Sequence, residues 1–365
     1  MATDYVARAR DKAAADDRGA VEAVRFDGTA REYFGIWIVN LLLSVVTLGI
    51  YSAWAKVRTQ TYILRNTSIG GRRFDYHATG GQILKGRLIV VGALVAISIL
   101  TAAVPLAILL FYVAAIFVFP LLIVRALKFN ARNTSWSNVR FDFQGSYGGA
   151  MRVYIGIPIL VALSLYTAWP FLTRARQRFF VENHRLGDRA FAFEKGIGGY
   201  YLAFLIAAGI AVIGMVAFTI LFGGALTATF DRMADGGTEE PVIEIFGIYL
   251  ALFLIGTPVA MVYRAMARNL MYDGTTLQDG HRFESRVRPA RLVWIAVSNA
   301  VAVVLTLGLA LPWARIRMTA YLARCTTVHP NGAFDDIAGR IEEDNRAIGD
   351  AYSDIEGLDI GGVGI

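Results

Sequence analysis

The residues of this chain best arranged for chemistry are arginines that recur in pairs, seven positions apart. The pairs are Arg58 and Arg65, Arg125 and Arg132, and Arg317 and Arg324. Seven residues make two helical turns, so both guanidinium groups of a pair lie on one helix face. Next to apolar segments, such groups favour anionic lipid headgroups. They are also expected of arginines that simply extend to the membrane surface, the interpretation that the spacing alone favours, and both stay open.

Three tryptophans are candidates for the same membrane interface. Trp54, Trp169 and Trp313 align three segments without gaps, at 34–58, 152–176 and 291–317. Tryptophan is enriched at the boundary between lipid and water. The alignment predicts a pseudo-repeat whose tryptophans lie at one depth, with the middle copy the most divergent.

Two asparagines lie within uncharged segments, at equivalent positions of the first and third copies. They are Asn40 and Asn299, and in both copies a Thr-Leu-Gly sequence follows before the tryptophan. An intramembrane amide either holds neighbouring helices together or contributes to a path for a solute. The sequence favours helix packing and leaves a permeation site as the alternative.

The remaining reactive side chains do not form a recognisable catalytic or metal-binding motif. The four histidines, at 77, 184, 281 and 329, have no histidine partner at helical spacing, and the chain contains one cysteine, Cys325. Sequence patterns of nucleotide loops, zinc proteases and serine hydrolases are also absent. We therefore expect no catalytic residue, no cofactor, no metal and no enzymatic activity.

The composition indicates the elements that position these residues. Of 365 residues, 56% are hydrophobic and 18% are charged, whereas about a quarter are charged in soluble domains. Uncharged apolar segments long enough to cross a bilayer recur along the chain. We predict a mainly α-helical polytopic membrane protein with pseudo-repeats.

A second repeat predicts short β-hairpins. Five segments combine a turn signal with an aromatic strand, and they lie at 65–80, 132–145, 182–196, 268–285 and 324–336. Turn residues followed by alternating aromatic and polar residues are typical of hairpins. Residues 24–28, Val-Arg-Phe-Asp-Gly, resemble half of another copy. We expect the hairpins to lie at the cytosolic interface.

Charge predicts the topology. Segments 56–87, 125–152, 174–195 and 264–291 are basic, whereas 231–244 has one basic and five acidic residues. The positive-inside rule places the basic segments in the cytosol and the acidic loop outside. The tryptophan segments then enter the membrane and return, which we favour. Seven ordinary spans are the alternative.

These patterns divide the chain into three parts. Residues 1–23 are a polar N-terminal segment, 24–334 an integral membrane domain, and 335–365 a flexible tail with nine acidic and two basic residues. Within the membrane domain, repeat blocks near 34–80, 152–196 and 291–334 alternate with helix pairs at 88–127 and 199–266. A basic excess beside lipid predicts membrane lipids, chiefly anionic, as partners, and no nucleic acid.

Several of these residues resemble a known family. The Phe26-Asp27-Gly28 sequence, the block TLGIYSAWAKVR at 47–58 and the following Asn66-Thr67 resemble the YjgN-like family of bacterial inner-membrane proteins, a domain of unknown function. The resemblance implies location and architecture over residues 24–330. It implies no activity and no catalytic residue.

The function predicted from the sequence is therefore non-enzymatic. We expect a structural or lipid-interacting inner-membrane protein, because the interface is basic and aromatic and the apolar segments lack ionisable residues. A channel or transporter for a small solute is the alternative, since internal repeats and broken helices are typical of transporters.

Overall fold

The computed structural model describes residues 21–234 and 242–332. The acidic tail at 335–365 and most of the polar N-terminal segment lie outside the described residues. The sheet begins at Glu22, slightly before the boundary that the sequence suggests for the membrane domain.

The described helices and strands alternate in a regular order. The helices are α1 (Ala30–Val46), α2 (Ser52–Arg65), α3 (Gly80–Ala103), α4 (Ala107–Arg132), α5 (Tyr147–Met151), α6 (Ile157–Leu163), α7 (Trp169–Glu182), α8 (Gly198–Ala234), α9 (Val242–Asp273), α10 (Pro289–Leu305) and α11 (Leu311–Arg324). A π-helical segment, Arg152–Gly156, joins α5 to α6, and Gln278–Gly280 is a 3₁₀ turn. The strands are β1 (Glu22–Ala23), β2 (Arg25–Phe26), β3 (Thr67–Ile69), β4 (Arg72–Tyr76), β5 (Thr134–Trp136), β6 (Val139–Phe143), β7 (His184–Leu186), β8 (Arg189–Phe193), β9 (Thr275–Leu277), β10 (His281–Ser285) and β11 (Thr326–His329).

Five units account for this order within the described residues: in four of them a helical hairpin is followed by a β-hairpin, and in the fifth by a single strand. Unit 1 comprises α1 to β4, unit 2 α3 to β6, unit 3 α5 to β8, unit 4 α8 to β10, and unit 5 α10 to β11. Each helix packs on the helices before and after it in the chain, and α11 also packs on α1. The helices therefore form a closed ring.

The predicted short hairpins form, but they are joined edge to edge in one closed antiparallel sheet, which the sequence analysis did not predict. The order among the described strands is β1-β11-β10-β9-β8-β7-β6-β5-β4-β3-β2. Its two ends, β1 and β2, are separated only by Val24, whose N–H donates to the carbonyl of Thr326 at 3.0 Å. The segment 22–26 thus pairs with β11 on one side and β3 on the other, and supplies the strand missing from unit 5. Closure removes the exposed edges that isolated hairpins would leave.

Five equivalent main-chain hydrogen bonds join each unit to the next. In each, the donor is the N–H of the residue that follows a unit's last strand. The acceptor is the carbonyl of the residue that follows the second helix of the next unit. They are Asp27 to Asn66, His77 to Asn133, Gln144 to Asn183, Glu194 to Gly274, and Arg286 to Cys325, at 2.8 to 2.9 Å. These bonds define which residues of the five units are equivalent.

This register shows which residues of the half-copy at 24–28 are equivalent to those of the complete hairpins. Phe26 pairs with Thr67, as Tyr76 pairs with Thr134 and Phe143 with His184. Phe26 is therefore equivalent to Tyr76, and Val24 is equivalent to Phe74. In sequence, Arg25-Phe26-Asp27 is similar to Arg73-Phe74-Asp75, but the structural equivalents lie two residues later, at 75–77. The two differ because local sequence does not specify strand register.

Each tryptophan segment is a helix, a break and a second helix that turns back. The backbone reverses through residues with positive φ, at Leu48 and Gly49 in the first copy and Leu307 and Gly308 in the third. At the break, the Thr47 hydroxyl donates to the Leu43 carbonyl at 2.7 Å and accepts from the Tyr51 N–H at 2.9 Å. Thr306 makes the same two bonds, to Ala302 and from Ala310. The break therefore satisfies its own polar groups, as lipid surroundings require.

The middle copy follows the same plan, but the gapless alignment on Trp169 is wrong. Ser164 caps this break, donating to the Val161 carbonyl and accepting from the Ala168 N–H. Measured from the capping residue, the position of Trp54 and Trp313 is taken by Phe171, two residues after Trp169. The sequence alignment is anchored on Trp169 because the middle copy has Ser164 in place of the threonine that caps the break in the other two copies.

The structure supports returning segments and excludes seven ordinary spans. Among the described residues, four helices are long and apolar enough to cross a membrane: 80–103, 107–132, 198–229 and 246–273. Seven spans would place successive β-hairpins on opposite sides of the membrane. One continuous sheet contains strands from all five units, so all of them lie on one side.

Closure of the sheet predicts a specific sensitivity at Val24. Val24→Pro removes the N–H that bonds to Thr326, and the unpaired carbonyl is expected to lower the free energy of unfolding by about 2 kcal/mol. Val24→Ala keeps the N–H and is the matched control. Thermal unfolding in nanodiscs measures the difference, and equal melting temperatures for the two variants would contradict closure at this strand.

Candidate functional site: the barrel lumen and its basic surroundings

The lumen of the barrel contains a ring of phenylalanines. Phe74, Phe141, Phe191 and Phe283 occupy equivalent positions of β4, β6, β8 and β10, and their neighbouring ring centroids are 5.9 to 6.5 Å apart. Such separations are favourable for aromatic pairs. Val24 holds the equivalent position in the fifth unit. We call the four aromatic residues the phenylalanine ring.

The phenylalanine ring separates two cavities. The upper cavity, of about 150 Å³, lies towards the turns and is lined by residues that precede them, including Ile69, Trp136 and Leu186. The lower cavity, of about 420 Å³, lies towards the helices and is lined by residues from their ends, including Leu64 and Leu127. All four phenylalanines line both cavities. The lumen is therefore an apolar site interrupted by an aromatic constriction.

A repeated hydrogen bond fixes the helix ends around the lower cavity. The first residue of the strand after each helical hairpin bonds to the carbonyl four residues earlier: Thr67 to Ile63, Thr134 to Asn130, Thr275 to Met271 and Thr326 to Leu322, at 2.7 to 2.8 Å. In unit 3 a histidine takes this position, and His184 Nδ1 donates to the Phe180 carbonyl at 2.6 Å. The polar side chains at these five positions therefore form hydrogen bonds with main-chain carbonyls.

The arginine pairs lie where the helices approach the barrel. Arg65 and Arg132, the second members of two pairs, bind Asp75 and Asp142 at 2.8 and 2.9 Å. The hydrogen bond from Arg65 lowers the pKa of Asp75 below its usual range. Arg324, the equivalent in unit 5, is exposed. These second members link helix to strand in units 1 and 2.

The first members of the pairs have different partners. Arg58 donates to the Tyr51 hydroxyl at 3.1 Å, and Arg125 is exposed. Arg317 donates to Ser298 Oγ at 2.7 Å and to Asn299 Oδ1 at 2.9 Å, and its guanidinium lies 5.0 Å from the Trp313 ring centroid. Arg58 and Arg317 thus lie beside a tyrosine and a tryptophan, residue types that are enriched at membrane interfaces.

The three candidate tryptophans are all partly exposed near the breaks. Trp54 stacks on Tyr51 and packs so closely on Gly80 that a Cβ there would lie 2.5 Å from its ring. Trp169 lies beside Tyr166, with ring centroids 6.4 Å apart. The structure thus places an aromatic residue at each break, but it does not bring the three together.

The two asparagines each join the two helices of one hairpin. Asn40 Nδ2 lies 3.5 Å from the Ala55 carbonyl, and Asn299 Nδ2 donates to the Ala314 carbonyl at 3.0 Å. Both side chains are buried. This geometry is that of helix packing, and the two amides do not meet at a shared centre.

The histidines are dispersed over the barrel. His77 bonds to Ser135, His329 to Glu284, and His281 accepts from the Asn331 N–H. The described residues contain no group of three or more His, Cys, Asp or Glu side chains that could hold a metal ion.

Sequence reasoning missed the phenylalanine ring and the capping threonines. The available signal was an aromatic residue at the same place in four hairpins, because Phe74, Phe141, Phe191 and Phe283 each lie two residues before a strand end. That signal indicates strands, but only the closed sheet shows that the four rings meet.

These features define a polytopic membrane protein in which a ring of helical hairpins carries a closed β-barrel with an apolar lumen. Comparison with known proteins gives the family: the chain belongs to the family described as "Bacterial protein of unknown function (DUF898)", whose model matches residues 21–355. No enzymatic family is indicated.

Curated relatives give the location. The chain is 27% identical over 346 residues to the "Inner membrane protein YjgN" of Salmonella typhimurium strain LT2, covering 83% of this chain and 87% of that protein. It is 33% identical over 150 residues to the proteins of the same name from Escherichia coli O157:H7 and strain K12, covering 41% of this chain and 38% of each relative. No solved structure matches. The protein is thus an inner-membrane protein, as the sequence resemblance implies.

His184 predicts a pH dependence of stability. Burial lowers the pKa of His184, so the unfolded chain takes up a proton more readily than the folded one. Stability is therefore complete above the usual histidine pKa of about 6.5 and falls as the pH drops below it. His184→Thr, which copies the other four units, is expected to reduce this loss. Melting temperatures at pH 7.5 and 5.0 test this, and equal losses in both proteins would refute it.

Proposed function

We propose that this protein is a non-enzymatic, lipid-interacting protein that binds anionic headgroups around its helix ring. The observation that carries the proposal is the location of Arg58, Arg125 and Arg317 at one level, above apolar tips that project from the helical hairpins. Arginine at the membrane surface attracts anionic lipid.

The equivalence of the units supports a common level. Arg58, Arg125 and Arg317 are each eight residues before the C-terminal cap of their helix, at Asn66, Asn133 and Cys325. On α4, Arg125 ends the uncharged segment that crosses the membrane. The corresponding arginines of units 1 and 5 therefore lie at the membrane boundary too.

Below this level the returning segments penetrate only part of the bilayer. From Ser52 to Arg58 the helix α2 is about 9 Å long at ~1.5 Å per residue, against a hydrocarbon thickness of about 30 Å. The tip residues Leu48, Leu165 and Leu307 are 94%, 85% and 95% exposed. Exposed leucines beneath a level of arginines are suited to wedging into one leaflet while the arginines bind headgroups.

The alternative, a channel or transporter, has less support. The ring of units around one axis favours a path along the lumen. The phenylalanine ring narrows that lumen to an apolar constriction, and Asn40 and Asn299, the candidate solute ligands, bind their own hairpins. A polar solute would lose its hydration in this lumen without replacement partners.

Replacing the three arginines tests the headgroup proposal. The triple variant Arg58→Gln, Arg125→Gln, Arg317→Gln is expected to lose co-purifying anionic lipid. Each arginine at an anionic surface contributes about 1 kcal/mol, roughly fivefold in binding. Mass spectrometry of retained lipid, as the ratio of phosphatidylglycerol and cardiolipin to phosphatidylethanolamine, measures the effect.

Two control variants separate position and charge from folding. Replacing Arg73, Arg140 and Arg282 by Gln removes the same charge from exposed positions of the barrel, and the lipid ratio should stay unchanged. Lysine at positions 58, 125 and 317 keeps the charge and should retain anionic lipid. Equal losses from the barrel and interface triple variants would overturn the proposal.

The proposal also places the barrel in the cytosol, which reporter fusions test. A periplasm-active reporter is expected to be inactive after Gly71, Gly145, Gly187 and Gly280, and active after Gly237 in the acidic loop. The physical reason is the excess of basic residues in the segments around the barrel. Activity after Gly187 with silence after Gly237 would invert the orientation.

A further inference from the structure

We propose that the lower cavity binds one alkyl chain of a membrane phospholipid, drawn from the space inside the helix ring. This inference deepens the proposed lipid interaction and rests on it in requiring lipid around the helices. The two proposals concern different parts of the lipid: the cavity binds the alkyl chain, and the arginines bind the headgroup.

The wall of the lower cavity is apolar and comes from four of the five units. The phenylalanine ring forms one end. Helix ends provide the sides, with Leu64 of α2, Leu127 of α4, Phe180 of α7 and Met271 of α9. A site with this lining binds through burial of apolar surface.

Three of the polar side chains on the wall, which also includes Asn130 and Tyr272, bond to the backbone. The side chains of Thr134, Thr275 and His184 bond to the carbonyls of Asn130, Met271 and Phe180. A polar solute would therefore meet few free partners at these positions. An alkyl chain needs none, because it has no donor or acceptor to satisfy.

The cavity is accessible from the membrane side. Towards the turns the phenylalanine ring closes it, and around the circumference the continuous sheet closes it. The remaining direction leads between the helix ends into the space that the ring of helices encloses. A ligand therefore enters from the membrane.

That space has the properties of a lipid environment. The described spanning helices are apolar, and scarcely any of their residues are buried in the protein: none in the apolar window of 80–103 and 6% in those of the other three. A helix that is apolar and exposed on all sides is stable only in lipid. Because neighbouring helices form a ring, both the outer and inner faces require lipid, which supplies chains at the cavity entrance.

Photocrosslinking of the unmodified protein tests the site. The probes are phosphatidylglycerol and phosphatidylethanolamine, each with a diazirine at the end of one chain, in nanodiscs of the same two lipids. Crosslinks from both probes are expected at Leu64, Leu127 or Met271, located by mass spectrometry of peptides. Leu64 lies about 9 Å of helix beyond Arg58, so a chain that stays in the bilayer does not reach it.

A narrowed cavity provides the matched comparison. Leu64→Phe with Leu127→Phe should reduce crosslinking at Met271 at least about twofold by filling the site, while crosslinks on the spans persist. Ile63→Phe with Ile123→Phe alters neighbouring residues outside the cavity lining and should leave the yield unchanged. Crosslinks to spans and tips alone in the unmodified protein would overturn the chain site.

The result is separable from that of the headgroup proposal. Cavity crosslinks that persist in the Arg58, Arg125, Arg317 triple variant with normal anionic lipid retention would refute the headgroup site and keep the chain site. Loss of anionic lipid from the triple variant, together with an absence of cavity crosslinks in the unmodified protein, would support the headgroup site and refute the chain site.

Discussion

The structure depends on five main-chain hydrogen bonds that join each unit to the next around the barrel. Each links the residue after a strand to the carbonyl that ends the neighbouring helix, and the bond from Asp27 to Asn66 connects the beginning of the described chain to unit 1. Because the bonds involve main-chain atoms, they tolerate different side chains in the five units. The ring fixes the direction of every helical hairpin, since each helix must end where its strand begins. Membrane insertion, lumen and basic level all follow from this constraint.

The closed ring explains why three of the helical hairpins return without crossing. All β-hairpins must reach one sheet, so every helical hairpin must begin and end on the same side. Units 2 and 4 each have two helices that are long and apolar enough to span a membrane, and units 1, 3 and 5 have short helices and a break. The breaks are stable because Thr47, Ser164 and Thr306 satisfy the backbone locally. The fold therefore combines two depths of insertion in one repeat.

The chemistry of the molecule is separated by level. The proposed function separates arginines at the membrane boundary from an apolar lumen, which is lined by phenylalanines, aliphatic side chains and Trp136. In that proposal, charge and apolar surface act on different parts of a lipid. Asn299, which accepts from Arg317 and donates to the Ala314 carbonyl, holds the two helices of one hairpin together. In the part of the chain that the structure describes, there is no group of three or more His, Cys, Asp or Glu side chains that could hold a metal ion.

The sequence by itself determined the membrane location, the helices, the hairpin strands and the candidate interface arginines. These follow from local properties, namely apolar length, turn residues and charge, which are readable in one segment at a time. The closed sheet, the equivalence of Val24 with Phe74, the correspondence of Phe171 with Trp54 and the phenylalanine ring were decided by the tertiary structure. Their physical cause is pairing between strands that are distant in the chain. Side chains alternate between the two faces of a strand every two residues, so a shift of the pairing by two residues keeps each side chain on the same face of the sheet. The local sequence pattern therefore does not reveal such a shift. Only the hydrogen bonds between units select the register, and with it the side chains that meet in the lumen.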